Sequence, residues 1–80
     1  MELKAFIKSL PAEPDEREAF AAACETTLGH LRNVMYGIKP CSPELAVLVE
    51  RHSAGKVTRQ ELLPDKWPRI WPELVAQVIA

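Results

Sequence analysis

Residues 27 to 39 bring together a guanidinium, a carboxamide, an imidazole, a phenol and an ammonium group. Arg32 can bind a phosphate or the acceptors of guanine, Asn33 can pair with adenine, and His30 can donate to a phosphate or a base. Gly29 permits close approach, and Leu28 can touch a thymine methyl group. The complete candidate set is Thr27, Leu28, Gly29, His30, Arg32, Asn33, Tyr36 and Lys39. These types and spacings predict contact with DNA in a major groove.

The distribution of charge agrees with that placement. The chain of 80 residues has a net charge of -1, but residues 1 to 25 sum to -3, residues 26 to 60 to +3, and residues 61 to 80 to -1. Lys39, Lys56 and Arg59 lie in the positive part, where they can contact the DNA backbone. Composition alone leaves open the simpler alternative, in which these are ordinary solvated charges.

The cysteines and histidines form no recognisable catalytic or metal-binding motif. Cys24 and Cys41 lack Cys-x-x-Cys spacing, and His30 and His52 are far from each other and from both thiols. We expect free thiols, with Cys24 in the core and His52 as a half-buried packing residue. No phosphate-binding glycine loop or paired-carboxylate signature is present. The sequence therefore predicts no enzyme, no metal and no cofactor.

Apolar spacing predicts three short helices in the first half of the chain. Pro11 ends the first, Pro14 occupies the first position of the second, Thr27 caps the third, and Gly37 ends it. The predicted inward faces are Leu3, Phe6, Ile7 and Leu10 in the first helix, Phe20, Ala23 and Cys24 in the second, and Leu31, Val34, Met35 and Ile38 in the third.

The second half continues as helices with no strand signal. Ser42 caps a fourth helix that ends at Ala54-Gly55, with an apolar stripe of Leu45, Leu48, Val49 and His52. Thr58 and Glu61 have the spacing of a capping box that begins a short fifth helix burying Leu62 or Leu63. A last helix runs from Pro72 through Val78.

The C-terminal segment is richer in large apolar residues than a surface tail needs. These residues are Trp67, Ile70, Trp71, Leu74, Val75 and Val78. They either fold back onto the core of the monomer or form an interface with a second copy or another protein. The sequence leaves both alternatives open.

The second and third predicted helices are separated by about three residues, which is the outline of a helix-turn-helix. Many helical bundles contain such a pair, so the outline alone does not establish the motif. We predict an all-α compact bundle of about five short helices containing a helix-turn-helix. Residues 1–66 form this DNA-binding domain, and residues 67–80 form a Trp- and Pro-rich extension.

Residues 20 to 68 resemble the YdaS-like branch of the Cro/CI-type helix-turn-helix regulators. The resemblance rests on Phe20-Ala21-Ala22-Ala23, Leu31-x-x-Val34-x-x-Gly37, Ser42-Pro43-Glu44-Leu45-Ala46, Val49-Glu50-Arg51, and Gly55-Lys56-Val57-Thr58-Arg59-Gln60-Glu61-Leu62 leading to Pro64-Asp65. The last block is the most specific. The resemblance implies a lambda-repressor-like fold and a DNA-binding transcriptional regulator, of a family found in prophages and plasmids and often described as antitoxins.

The chain departs from the family pattern at three positions. Glu25 stands where glycine is usual after the second helix, so a left-handed backbone there costs about 1 kcal/mol. Leu28 replaces a polar residue that commonly opens the recognition helix, and Val34 stands where tryptophan is common. These changes bear on base preference, while Val34 still fits the inward stripe.

We therefore expect a Cro-like repressor or autoregulating antitoxin that binds double-stranded operator DNA as a homodimer. The alternative is a protein-interaction module, such as an antitoxin that binds a toxin through the apolar C-terminal segment with little DNA specificity. The sequence shows no apolar run long enough to span a membrane and no secretory signal, so we expect a cytoplasmic protein.

Overall fold

The computed structural model describes residues 1–11 and 15–79, with side chains as far as residue 76. All regular elements in these ranges are α-helices, which confirms the predicted all-α class. In chain order they are α1 (Leu3–Ser9), α2 (Glu16–Ala23), α3 (Leu28–Met35), α4 (Pro43–His52), α5 (Arg59–Leu62), α6 (Trp67–Ile70) and α7 (Pro72–Ile79).

One hydrophobic core joins the first five helices. Leu31, Val49 and Val57 have no exposed surface, and they lie in α3, in α4 and before α5. The rings of Phe6 and Phe20 meet with centroids 5.0 Å apart at a tilt of 59°, which ties α1 to α2. The core therefore fixes several elements that are each too short to be stable alone.

Three of the side-chain caps in the structure are those predicted from the sequence. The Thr27 hydroxyl accepts a hydrogen bond from the His30 backbone N–H at 3.1 Å, and the Ser42 hydroxyl accepts from Leu45 at 3.1 Å. Thr58 accepts from the Glu61 backbone, and the Glu61 carboxylate accepts from the Thr58 N–H. This completes the predicted capping box.

The Glu61 carboxylate also accepts a hydrogen bond from the N-terminal ammonium at 3.0 Å. Desolvation alone would raise the pKa of Glu61, but the hydrogen bonds from this ammonium and from Thr58 lower it below the usual value. A carboxyl with a lowered pKa stabilises the fold above its unfolded pKa. That contribution is lost as the pH falls through the folded pKa.

Three helices end in the same backbone turn, and in two of them the first left-handed residue is not glycine. The φ angle is +59° at Glu25 after α2, +75° at Gly37 after α3 and +56° at Ala54 after α4. After α2, the N–H of Thr26 donates to the carbonyl of Ala21 at 3.0 Å. This pattern is the Schellman motif, and it stabilises the helix end although a β carbon strains the turn.

The predicted start and inward face of the second helix are partly wrong. Pro14 lies outside the described residues, and α2 begins at Glu16 because the Asp15 carboxylate accepts a hydrogen bond from the Glu18 N–H. Ala23 is exposed, whereas Ala21 is buried. The reason is that α2 packs against both α3 and α4, which turns Ala21 toward the interior.

Two residues predicted to pack inward lie at the surface. Ile38 is 66% exposed because α3 ends at Met35 and the left-handed Gly37 turns the chain away. His52 is exposed because it is the last residue of α4, where the helix extends beyond its packed stripe.

The C-terminal region contains a helix that the sequence reasoning missed. The Trp67-Pro68 step begins α6 because proline is compatible with the first turn of a helix, where its missing N–H is not needed. The predicted last helix is confirmed as α7, which brings the total within the described residues to seven. Of the two leucines after Thr58, Leu63 is the one buried.

The capping box predicts that removal of the Thr58 hydroxyl lowers the stability of the protein. Thr58→Ala should lower the free energy of unfolding by about 1 kcal/mol, because the first turn of α5 loses its side-chain acceptor. Urea denaturation followed by circular dichroism measures this. Thr58→Ser retains the hydroxyl and is the matched control, so an equal loss in both variants would contradict the capping role.

Candidate nucleic-acid interface

Two short helices and a tight turn form the centre of the candidate interface. Residues 24–27 connect α2 to α3, and the two helices pack against each other. Ala21 of α2 is 1% exposed and Leu31 of α3 has no exposed surface, so both helices turn their apolar sides inward. A pair of packed helices joined by a turn of this length is consistent with a helix-turn-helix.

Five of the eight predicted contact residues are exposed, two of them in α3 and three immediately before or after it. Arg32 and Gly29 are exposed in α3, and Lys39 is exposed in the loop that follows. His30 and Asn33 are half-buried, so part of each residue stays accessible to solvent. Helix α3 therefore carries hydrogen-bonding groups on one side, while its other side is packed against the core.

The loop after α3 is held to the helix through the backbone of Asn33. Its carbonyl accepts hydrogen bonds from the N–H of Ile38 at 2.8 Å and from the N–H of Lys39 at 3.2 Å. Lys39 therefore has a defined position relative to Asn33. Within the residues whose side chains are described, neither Arg32 nor Lys39 takes part in a salt bridge.

Lys4 of α1 extends the basic surface next to α3. Its ammonium lies over the ring of Tyr36, 5.1 Å from the ring centroid, and Tyr36 is 56% exposed. The sequence reasoning did not include Lys4, because it is separated from Tyr36 by most of the first three helices. Only the packing of α1 on α3 brings the two residues together.

Leu28 is less available than a fully outward residue. It is half-buried and packs against the hydrophobic core. Thr27 is exposed, but its hydroxyl already accepts the capping hydrogen bond from His30. Both residues therefore have a structural role at the beginning of α3.

An open cleft of about 360 Å³ lies where the beginnings of α3 and α4 meet. His30 and Ser42 line it, and so do the carboxylate-bearing residues Glu25 and Glu44. Helix N-termini attract anions, but these two carboxylates oppose the approach of a phosphate. The basic residues Arg32, Lys39 and Lys4 lie outside the lining of this cleft.

Both cysteines are free and buried, as expected for packing residues. Burial raises the pKa of the Cys24 and Cys41 thiols to about 11. Both groups are therefore protonated at neutral pH, and a protonated thiol is a weak nucleophile.

No group of three or more metal-ligating side chains is present in the part of the chain that the structure describes. In the same ranges, no helix combines the length and the apolar character needed to cross a membrane.

The C-terminal segment packs partly on the core. Ile70 and Trp71 are half-buried against it, and Leu74 is 7% exposed. The Arg59 guanidinium lies 5.1 Å from the centroid of the Trp71 ring and also pairs with the carboxylate of Glu50. These contacts connect α4, α5 and the beginning of the segment.

The other described members of the predicted interface set belong to the same burial class as Ile70 and Trp71. Trp67 and Val75 are half-buried, and the side chain of Val78 lies outside the described residues. Helix α7 packs mainly against α6.

The fold and this surface define a small helical protein with a helix-turn-helix. No protein-family model matches the chain. A curated protein of Escherichia coli (strain K12), named a prophage transcriptional regulatory protein, is 34% identical over 67 residues, which are 84% of this chain and 98% of that protein. The chain belongs to the family of that prophage regulator.

The left-handed turn predicts a variant that is more stable than the natural sequence. Glu25→Gly should raise the free energy of unfolding by roughly 0.5–1 kcal/mol, because glycine removes the β-carbon strain but adds freedom to the unfolded chain. Urea denaturation at two salt concentrations measures the change.

Glu25→Ala is the matched control, since it removes the charge but keeps the β carbon at φ +59°. If alanine stabilises the protein as much as glycine does, the gain comes from the charge and the strain argument is wrong.

Proposed function

We propose that the protein is a sequence-specific DNA-binding transcriptional regulator that reads the major groove with the helix around residues 28–36. The observation that carries the proposal is the division of α3 into two sides. Leu31 has no exposed surface and Arg32, the next residue, is exposed beside Gly29. A short helix fixed by its inner side and polar on its outer side suits insertion into a groove.

The family relationship supports a role in transcription, because the Escherichia coli relative is named a prophage transcriptional regulatory protein. Within that class we propose a Cro-like repressor or an autoregulating antitoxin of the YdaS-like type. Its mechanism is occupancy, since a protein bound at a promoter blocks transcription without chemistry. Such a protein acts in the cytoplasm, where bacterial operator DNA is located.

We assign different roles to different members of the contact set. Arg32 and Asn33 read base edges, with His30, Leu28 and Gly29 beside them, while the remaining residues contact the backbone. Those backbone residues are Thr27, Tyr36 and Lys39. Residues 1–66 act as the DNA-binding domain, and residues 67–80 act as an extension.

The protein binds its operator as a homodimer in this proposal. One eight-residue helix can contact only a few base pairs, so a single copy has limited specificity. Two copies on half-sites about one DNA turn apart combine two such contacts.

Fluorescence anisotropy on two duplexes tests the proposal. One duplex carries the intergenic region upstream of the protein's own gene, and the other carries a scrambled sequence of equal length. We expect tighter binding to the native duplex that persists at physiological salt, and weak, salt-sensitive binding to the scrambled duplex. Equal binding to both duplexes, or binding to neither, would contradict operator recognition.

Three alanine variants separate base contacts from backbone contacts. Arg32→Ala and Asn33→Ala should each cost about 1–3 kcal/mol on the native duplex and little on the scrambled one. Lys39→Ala should weaken binding to both duplexes and reduce the slope of log affinity against log salt by about 1.

Arg51→Ala is a matched control for loss of an exposed positive charge outside α3 and its loop. If the alanine variants of Arg32, Asn33 and Lys39 all lose the same affinity on both duplexes, the assignment of α3 to the groove is wrong.

The second candidate function is binding to a toxin or another protein through the C-terminal segment. The sequence of α7, Pro-Glu-Leu-Val-Ala-Gln-Val-Ile, favours it because Glu73 is its only charged residue. Binding through an apolar surface should change little with salt, whereas DNA binding should fall steeply. A protein that ignores both duplexes and binds a co-expressed partner only when residues 72–80 are present would favour this function.

A further inference from the structure

Two cationic side chains lie where the C-terminal segment begins, a region that the sequence reasoning considered only for its apolar contacts. Lys66 directly precedes α6 and Arg69 lies within it, and both residues are exposed. Residues three positions apart on a helix are neighbours on its surface. Neither side chain takes part in a salt bridge within the residues whose side chains are described. We call Lys66 and Arg69 the α6 basic patch.

The position of the α6 basic patch is fixed by backbone hydrogen bonds and by the apolar side of the segment. The N–H of Lys66 donates to the carbonyl of Leu63 at 3.2 Å, and the N–H of Arg69 donates to the carbonyl of Lys66 at 3.0 Å. Ile70 and Trp71 pack against the hydrophobic core. The backbone that carries the two cations is therefore held against the first five helices.

A cleft of about 470 Å³ lies between the end of α3 and the turn that leads into α6. Val34, Gly37 and Lys39 line it from the α3 side, and Lys66 lines it from the other side. Asp65 is also part of the lining, so two positive charges and one negative charge surround this cleft. Because Lys39 and Lys66 are far apart in the sequence, only the tertiary packing brings both lysines to one cleft.

The two ends of α3 differ in the charges beside them. At its beginning, Glu25 and Glu44 line the smaller cleft, where carboxylates oppose a phosphate. At its end, Lys39 and the α6 basic patch supply three cations against Asp65. Each strand of double-stranded DNA carries a negative charge about every 3.4 Å, so neighbouring cations can contact successive phosphates. A DNA strand that borders the groove is therefore bound more favourably at the end of α3 than at its beginning.

We propose that the α6 basic patch is a second contact with the DNA backbone, with the phosphates of one strand lying across the mouth of the cleft between Lys39 and Lys66. The inference rests on the proposed function, because it requires α3 to lie in a groove. Contacts of this kind position a protein on DNA without reading bases. The beginning of the C-terminal segment therefore takes part in DNA binding as well as in packing.

The salt dependence of DNA binding tests this contact, measured by fluorescence anisotropy on the native and the scrambled duplex. Lys66→Gln and Arg69→Gln should each reduce the slope of log affinity against log salt by about 0.9 on both duplexes. Between about 50 and 200 mM salt, each variant should therefore lose about 3.5-fold less affinity than the natural protein loses. Their unfolding temperatures should stay close to that of the natural protein, since both side chains are exposed.

Three further variants separate a local contact from a general effect of charge. Arg51→Gln removes one exposed positive charge from α4 and should leave the slope unchanged. Lys66→Arg keeps the charge and should also keep the slope. Asp65→Asn removes the carboxylate from the cleft and should strengthen binding to both duplexes by roughly twofold to fivefold.

Unchanged slopes in Lys66→Gln and Arg69→Gln would overturn the contact, and so would an equal reduction in Arg51→Gln. If the slopes are unchanged while the natural protein still prefers the native duplex, the proposed function stands without this contact. If the slopes fall as expected but neither duplex is preferred, the contact is supported and operator recognition is contradicted. A protein that binds neither duplex at low salt would contradict both proposals.

Discussion

The position of α3 depends on the burial of Leu31. Helices of about eight residues have little stability of their own in water, so α3 keeps its shape only because its inner side is packed. Leu31 has no exposed surface, and both α1 and α2 pack against α3. The proposed DNA-reading side of α3 is therefore positioned by the packing of α1 and α2 behind it.

The backbone of the turn between α2 and α3 is strained at one residue. This turn sets the direction in which the chain enters α3. Glu25 has a left-handed backbone although it carries a β carbon, and the hydrogen bond from Thr26 to Ala21 holds the turn in place. Ala54 is in the same situation after α4. The cooperative packing around Cys24 and Val49 outweighs each local cost, which is on the order of 1 kcal/mol.

In this small protein the positions of the charged side chains matter more than the net charge. Arg59 pairs with Glu50 and lies over Trp71, so its charge serves to hold the C-terminal segment to α4. Arg32 and Lys39 make no such pair within the described side chains, and they lie on and just after the helix proposed to enter the groove. A nearly neutral chain offers little nonspecific attraction to DNA, so the proposed recognition depends mainly on contacts with bases.

The sequence by itself determined the features that depend on neighbours along the chain. The helical class and the caps at Thr27, Ser42 and Thr58 follow from local spacing and backbone chemistry, and the structure contains all of them. The left-handed backbone at Glu25 is implied by the family resemblance, which has glycine at that position, and the structure contains it too. The tertiary structure decided the features that depend on which elements pack together. Ala21 rather than Ala23 is buried because α2 contacts two helices, and Lys4 reaches Tyr36 because α1 packs on α3. Periodicity shows that a helix has an apolar side, but the width and direction of that side depend on long-range contacts.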